Sequence, residues 1–336
     1  MNQIQIANIL LTQRCNLKCD YCDIVKDYNH KPDEYPDMRY YAENELDANG
    51  WIKRLDRLKK NNPMVFVIFY GGEPFLYRDL YPIIYYCHEN KIMYTIITNN
   101  TDGVQDNIME LREKLGEPIR GFTSSVDPVL IHPNATSTDR YKKSSLAYQR
   151  LGIIKADGIA NDVVAEITVD SETVPYLYDL VKMLSEAGIY SSITMIDPKK
   201  SKFYDFSGTI DTTQLVNRSL QLRGEFDKII EDESLLVHIP SMLNKLFFNL
   251  PADMDCKIYK DIHNVTISPD GRLRLCLRIR GVHVPELKFE EVINEDGLIS
   301  SELNEAMFHD HRNLCLGCNW TCILMSKYYN DQIIDH

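Results

Sequence analysis

Strand-like and helical segments alternate in this 336-residue chain up to residue 196. Because parallel strands must be joined by crossovers, usually helices, the alternation predicts an α/β fold with a parallel sheet. The predicted strands are Ile6–Leu11, Met64–Tyr70, Met93–Thr98, Gly121–Ser125, Val163–Val169 and Ser191–Ile196. The predicted helices lie around Glu43–Lys60, Asp79–Glu89, Gln105–Leu115, Lys142–Ala156 and Val174–Ala187.

Cysteines, glycines and polar residues stand at the ends of the first four predicted strands. A cysteine-rich loop follows the first strand, and Gly71–Pro74 follows the second. Thr98–Asn100 and Ser125–Asp127 stand at the ends of the third and fourth. In barrels of parallel strands the chemistry sits at the carboxyl ends of the strands. The sequence therefore predicts a functional site at this end of the sheet.

The cysteine-rich loop contains Cys15, Cys19 and Cys22 in a C-x3-C-x2-C spacing. A structural zinc site takes four protein ligands, so three thiolates are one too few. A four-iron cluster held by three thiolates leaves one iron open for another ligand, which is the condition for catalysis at a metal. The spacing favours such a cluster. A zinc knuckle or unrelated thiols are the alternatives.

The run Arg-Cys-Asn-Leu-Lys-Cys-Asp-Tyr-Cys resembles the cluster loop of the radical S-adenosylmethionine (radical SAM) enzymes. The resemblance implies a partial (β/α)6 TIM-like barrel in which Cys15, Cys19 and Cys22 hold a catalytic [4Fe–4S] cluster. It also implies that the open iron binds SAM, whose reductive cleavage yields a 5′-deoxyadenosyl radical that takes a hydrogen atom from a substrate. Tyr21 matches an aromatic position that packs near the adenine. An electron donor such as flavodoxin or ferredoxin is implied as a partner.

A second motif, Gly71-Gly72-Glu73-Pro74, ends the apolar run Met64–Tyr70. That run is typical of a strand buried on both faces. Glycines at its end allow close backbone approach and leave carbonyls available as acceptors. The motif is similar to the GGE motif of the family, whose backbone binds the ammonium group of SAM. Taken alone, it also fits an ordinary turn.

The sequence Ser-Val-Asp-Pro after the fourth strand, with a downstream Asp-Arg, resembles a stretch of radical SAM enzymes with cysteine-rich C-terminal extensions. In that group a serine and an arginine help to hold the SAM carboxylate, which implies Ser125 and Arg140 here. Pro128 stands where the family usually has glycine, and the spacing to the arginine is irregular. Lys142 or Lys143 is therefore an alternative partner for the carboxylate.

Four further polar residues are candidate cofactor-binding residues. Thr98 and Asn99 match a position from which the family contacts the SAM ribose, although polar residues often end apolar strands. Asp127 is either functional or a turn-forming and capping residue. Glu166 stands inside Val-Val-Ala-Glu-Ile-Thr-Val, where a buried carboxylate is costly without a partner. If it faces the barrel interior it meets SAM or substrate, and if it faces outward it forms a salt bridge with a packed helix.

Five more cysteines lie in the last quarter of the chain: Cys256, Cys276, Cys315, Cys318 and Cys322. The first two bracket a hairpin pattern with Pro-Asp-Gly as its turn. The spacing is similar to the SPASM and twitch extensions of radical SAM enzymes, which implies one auxiliary [4Fe–4S] cluster. The first four are the expected ligands, and Cys322 is the spare, a substitute ligand or a nearby thiol with chemistry of its own. A zinc site is the alternative.

The predicted domains follow from these motifs. Residues 1–205 form the partial barrel, residues 206–250 a helical linker, and residues 251–336 a smaller cysteine-rich α+β domain of the twitch or SPASM type. The linker is expected to contain helices at Thr212–Ile230 and Ile239–Leu250. Cys87 has no cysteine neighbours in the sequence and is predicted to be a buried core thiol.

Composition excludes several classes of function. No apolar run approaches the roughly 20 residues of a membrane helix, and the first residues do not resemble a signal peptide. The nine cysteines therefore predict metal ligands in a reducing cytoplasm rather than disulfides. A net charge of −12 argues against strong nonspecific nucleic-acid binding.

The expected reaction is hydrogen abstraction from a small-molecule, nucleotide or sugar-type substrate, with the auxiliary cluster assisting oxidation or substrate binding. Family members that mature peptides often carry an N-terminal peptide-binding domain. Because 14 residues precede Cys15, no such domain is expected here. A peptide or protein maturase working with a separate recognition protein is an alternative. A noncatalytic iron–sulfur or zinc-binding protein is the alternative from another class.

Overall fold

A computed structural model describes residues 4–17, 43–132, 139–169, 173–195, 212–238, 264–274 and 287–299. The strands and helices in these ranges are, in chain order, β1 (Ile6–Thr12), α1 (Ala48–Lys59), β2 (Phe66–Gly71), α2 (Leu80–Glu89), β3 (Met93–Thr98), α3 (Gln105–Leu115), β4 (Ile119–Ser125), α4 (Asp139–Ala156), β5 (Ala160–Val169), α5 (Leu177–Glu186), β6 (Tyr190–Met195), α6 (Thr212–Glu231), β7 (Asn264–Ile267), β8 (Arg272–Arg274), β9 (Leu287–Lys288) and α7 (Phe289–Val292). The predicted α/β class with mostly parallel strands is confirmed.

The chain divides into two compact units, one made of residues 1–97 and 251–336 and the other of residues 98–250. The predicted domain boundaries at residues 205 and 250 lie outside the described residues and stay predictions. The predicted helix Ile239–Leu250 also lies outside them, whereas the other linker helix is α6.

The sheet of the first unit has the order β3-β2-β1-β7-β8-β9. Strands β1, β2 and β3 pair in parallel, and β7 pairs in parallel with β1. The predicted hairpin of β7 and β8 is antiparallel and turns at Gly271, whose φ of +80° suits glycine. No sequence pattern indicated that this hairpin would extend the sheet from the β1 edge.

Strand β2 differs from the prediction in its start and in its burial. Val65 donates its backbone N–H to the carbonyl of Asn62 at 3.0 Å, so the preceding residues form a turn and Met64 is 82% exposed. Within β2, Val67 and Phe69 are completely buried, whereas the other residues of the strand are half-buried. The prediction of burial on both faces was therefore wrong, because one face of β2 keeps some exposure.

Helix α1 begins at Ala48 rather than near Glu43. The Asp47 carboxylate accepts the backbone N–H of Gly50 at 2.8 Å and so caps the helix at this point. At the other end, Asn62 is buried and accepts from the N–H of Ile4 at 2.6 Å. Its amide also donates to the carbonyl of Gly297 at 2.9 Å, which ties α1 to the segment after α7.

The second unit contains the parallel strands β4-β5-β6 in that order. The predicted helix Val174–Ala187 is a short 3-10 turn, Val174–Tyr176, followed by α5. Pro175 lies in the first turn, where its missing N–H costs least. The alternating burial of β5 leaves Glu166 half-buried between the completely buried Ala165 and Ile167.

Candidate active site

The first unit brings the start of the cysteine loop next to Gly71–Pro74. Cys15 lies three residues beyond the end of β1 and is half-buried. Its sulfur accepts the backbone N–H of Leu17 at 3.4 Å. Cys19, Tyr21 and Cys22 lie outside the described residues, so their predicted roles stay predictions.

Backbone hydrogen bonds hold the two motifs together. Gly72 donates its N–H to the carbonyl of Thr12 at 2.8 Å, and Glu73 donates to the carbonyl of Arg14 at 2.7 Å. A Cβ atom at Gly72 would lie 2.6 Å from the carbonyl oxygen of Gln13 and closer still to that of Arg14. The second glycine of the motif is thus required by the close approach of the chain that leads into Cys15.

Glu73 has a structural role that the sequence did not reveal. Its side chain is completely buried and accepts the backbone N–H of Phe75 at 3.1 Å. This caps the short 3-10 turn Pro74–Leu76, in which Pro74 occupies the first position. The Glu73 carboxylate therefore fixes the turn that follows the glycines.

Glu45 is a residue of this region that sequence reasoning missed. One of its carboxylate oxygens accepts from the Thr12 hydroxyl, and the other accepts from the Arg14 guanidinium at 2.7 Å. The available signal was weak: an acidic residue shortly after the cysteine loop, within a segment predicted to be helical.

In the second unit, Thr98 and Asn99 stabilise the turn after β3. The Thr98 hydroxyl accepts the N–H of Asn100 at 3.1 Å, and the Asn99 side chain accepts the hydroxyl of Thr101 at 2.8 Å. Asn100 has a left-handed φ of +51°, and Arg150 donates to its carbonyl at 2.6 Å. The turn is therefore fixed in shape, and the predicted ribose contact stays a prediction.

Ser125, Glu166 and Ser192 form a polar row across β4, β5 and β6. Ser125 is the register partner of Glu166, and Glu166 is the register partner of Ser192. The Glu166 carboxylate accepts from the hydroxyl of Thr194 on the neighbouring strand. No lysine or arginine among the described residues pairs with Glu166, so the alternative of a helix-facing salt bridge is not supported.

Burial raises the pKa of Glu166 above the ordinary 4.5, and hydrogen bonds from Thr194 and Ser192 only partly offset this effect. The Glu166 carboxyl therefore keeps its proton to a higher pH in the folded protein than in the unfolded chain. A carboxylic acid in this state can donate a hydrogen bond as well as accept one.

We expect Glu166→Gln to remove part of the pH dependence of stability. Because the folded pKa is raised, the contribution of Glu166 is fully present below the unfolded pKa and is lost as the pH rises through the folded pKa. Wild type should therefore lose stability relative to Glu166→Gln as the pH rises. Urea unfolding of both proteins from about pH 5 to about pH 8 measures the difference. A difference that does not vary with pH would contradict the assignment.

Asp127 and Arg140 form a partly buried ion pair. The Arg140 Nε donates to the Asp127 carboxylate at 2.9 Å, and Asp127 is only 2% exposed. Asp127 precedes the 3-10 turn Pro128–Ile131, but its side chain makes no capping bond there. Its carboxylate therefore balances the charge of Arg140. Arg140 makes further interactions, and its predicted contact with the SAM carboxylate stays a prediction.

The remaining predicted residues are a buried thiol, two lysines on α4 and five C-terminal cysteines. Cys87 is completely buried in α2, which confirms the prediction of a core thiol. Lys142 is exposed and Lys143 is half-buried on α4. The five cysteines of the last quarter lie outside the described residues, so the auxiliary cluster stays a prediction.

Within the described part of the chain, no helix has the length and apolar character needed to cross a bilayer.

Comparison with known proteins identifies the family of this chain. The model of the Radical SAM superfamily matches residues 9–202. The chain is 31% identical over 95 residues to an S-adenosylmethionine-dependent nucleotide dehydratase of Selenomonas ruminantium, spanning 28% of this chain and 30% of that protein. It is 21% identical over 318 residues to a GTP 3′,8-cyclase of Clostridium botulinum strain Langeland, spanning 91% of this chain and 90% of the cyclase.

A solved structure has a similar fold. Streptococcus suis SuiB bound to S-adenosylmethionine matches with a TM-score of 0.59 and 16% identity, covering 91% of this chain and 68% of SuiB. SuiB bound to the precursor peptide SuiA matches with a TM-score of 0.61 and 16% identity, covering 91% of this chain and 67% of SuiB. At this level of identity the likeness shows a shared fold.

Proposed function

We propose a set of ligands and a substrate class for this chain, which belongs to the radical SAM superfamily. It is an enzyme of that family, whose cofactors are a [4Fe–4S] cluster and SAM. When bound, the cluster supplies the electron that cleaves SAM and yields the 5′-deoxyadenosyl radical. Cys15, Cys19 and Cys22 are the proposed cluster ligands.

The observation that carries this proposal is the junction of Cys15 with Gly71–Pro74 in the first unit. Cys15 keeps partial exposure, and its sulfur already accepts a backbone N–H, as a thiolate ligand does. Cys87 provides the contrast, because it is completely buried in α2. The described part of the site therefore fits a cluster held by thiolates.

The other candidate residues are proposed to bind SAM. The backbone of Gly71–Glu73 receives the ammonium group, and Pro74 fixes the turn that follows. In the second unit, Ser125 and Arg140 hold the carboxylate. Asp127 orients Arg140 through the 2.9 Å ion pair.

Three polar residues of the second unit complete the proposed set. Thr98 and Asn99 meet the ribose, and the fixed turn after β3 supports that role. Glu166 presents its carboxyl group to SAM or substrate from the row it shares with Ser125. Tyr21 is proposed to pack on the adenine.

The proposed substrate is a small molecule of the nucleotide or sugar type. Two of the relatives are named as a nucleotide dehydratase and a GTP 3′,8-cyclase, and the match covers 90% of the cyclase. A peptide substrate is the second candidate, because SuiB shares the fold and was solved with a precursor peptide.

Four of the five C-terminal cysteines are proposed to hold one auxiliary [4Fe–4S] cluster. The enzyme is proposed to be cytoplasmic and to receive electrons from a flavodoxin or ferredoxin.

The test is formation of 5′-deoxyadenosine by anaerobically reconstituted, dithionite-reduced protein supplied with SAM. We expect product from wild type and none above background from a variant with Cys15, Cys19 and Cys22 all changed to alanine. Ribose-deuterated nucleoside triphosphates should transfer deuterium into 5′-deoxyadenosine. Turnover without transfer from any nucleotide would reject the substrate class, and absence of turnover in wild type would reject the proposed reaction.

A further inference from the structure

The segment Thr12–Arg14, which leads into Cys15, is held from two directions. The backbone of Gly72 and Glu73 holds it on one side through two hydrogen bonds of 2.8 and 2.7 Å. The carboxylate of Glu45 provides the second hold, through the Thr12 hydroxyl and the Arg14 guanidinium.

The three side chains form a closed network. The Thr12 hydroxyl donates to Glu45 and accepts from the backbone N–H and the Nε of Arg14, at 3.1 and 3.3 Å. Thr12 is completely buried, and the Glu45 side chain is only 12% exposed. The Arg14 side chain is 41% exposed, so solvent screens its end of the ion pair, whereas the Glu45 end is largely shielded and its hydrogen bonds polarise one another.

Glu45 is itself on an anchored stretch of chain. The next residue, Leu46, donates its N–H to the carbonyl of Pro269 at 2.8 Å and accepts the Tyr77 hydroxyl at its own carbonyl. Burial raises the pKa of Tyr77, so this hydroxyl stays protonated. Asp47 then caps α1. The backbone that carries the Glu45 carboxylate is therefore held in place by its neighbours.

We propose that Glu45 is a positioning residue that holds Cys15 in place as a cluster ligand. Arg14 adjoins Cys15 directly, so the network fixes the backbone up to the ligand itself. Arg14 and Glu45 are 31 residues apart and flank Cys19 and Cys22 in the sequence, so their pair joins the two ends of the cluster-binding segment. A ligand held in advance loses less freedom when it binds. The inference rests on the proposed role of Cys15.

The test is the rate at which a chelator removes iron from anaerobically reconstituted protein. We expect Glu45→Ala to accelerate the loss of SAM-responsive iron by about 10- to 100-fold, because removing the supporting partners of a metal ligand typically lowers metal affinity by this factor. Glu45→Gln keeps the acceptor for Thr12 and loses the charge, so an intermediate rate is expected. Adding Arg14→Ala to Glu45→Ala should change little, because both remove one network.

Glu110→Ala is the matched control, because it removes a carboxylate from an exposed pair with Lys114 and should release iron at the wild-type rate. Thermal unfolding of the apoproteins shows whether each variant folds. Wild-type release rates in folded Glu45→Ala or Glu45→Gln would overturn the inference. If Cys15→Ala loses iron while these variants do not release it faster, the positioning role alone fails. If Cys15→Ala keeps its iron, the ligand assignment fails and the positioning role with it.

Discussion

Cys15→Ala is expected to abolish formation of 5′-deoxyadenosine and to remove the SAM-responsive iron. Loss of a partner that merely orients a metal ligand costs about 10- to 100-fold in affinity, so loss of the ligand itself should cost more than about 100-fold. Iron held by the C-terminal cysteines should remain, so total iron falls without reaching zero. Iron and sulfide analysis with electron paramagnetic resonance, before and after SAM addition, measures both effects.

Cys87→Ala is the control for the loss of a thiol. Cys87 is completely buried in α2. Its replacement removes core packing and should lower the free energy of unfolding by about 1 kcal/mol. Iron content and 5′-deoxyadenosine formation should equal those of wild type. Retention of wild-type iron and turnover by Cys15→Ala would contradict the proposed cluster site.

The regular elements were predictable because local patterns determine them. Strand β3 and helix α3 have the predicted bounds. The polar pair Asn99–Asn100 follows β3, and α3 ends before Gly116, whose left-handed φ of +73° suits glycine. The start of α1 was missed because the Asp47 cap depends on one side chain. The start of β2 was missed because the turn at Asn62 places Met64 in solvent despite its apolar side chain.

The candidate site was predictable where strand order alone brings residues together. Carboxyl ends of neighbouring parallel strands meet at one edge, so the junction of Gly72 with the end of β1 followed from the pattern. The pair of Glu45 with Arg14 did not, because no local signal connects residues 31 apart. The Asp127–Arg140 pair was missed because Asp127 was considered as a functional or turn-capping residue and Arg140 as a partner of the SAM carboxylate, and neither as a partner of the other.

Two features of the fold could be decided only from the structure. Alternation along β5 left open which face Glu166 occupies, and only its register with Ser125 and Ser192 shows a row of hydroxyl partners. The parallel pairing of β7 with β1 was also beyond the sequence. A four-residue strand carries the pattern of its own hairpin and nothing that identifies a partner so distant in the chain.

Gly72→Ala is expected to weaken SAM binding and to lower the stability of the fold. The new Cβ would collide with the carbonyl oxygens of Gln13 and Arg14, so the segment before Cys15 must shift. The shift lengthens the hydrogen bonds from Gly72 to Thr12 and from Glu73 to Arg14. Overpacking of this kind costs about 1–3 kcal/mol of stability. The displaced backbone should also weaken SAM binding by at least about 10-fold, or roughly 1.4 kcal/mol.

Gly152→Ala provides the matched control, because a Cβ there meets no atom within 4 Å and the residue lies inside α4. It should stabilise the protein by about 0.5–1 kcal/mol and leave SAM binding unchanged, since alanine favours a helix more than glycine does. Equilibrium dialysis of SAM against both reconstituted variants, with urea unfolding of the apoproteins, separates the two effects. If Gly72→Ala bound SAM as wild type does, the close approach of Gly72 to the Cys15 segment would have no part in the cofactor site.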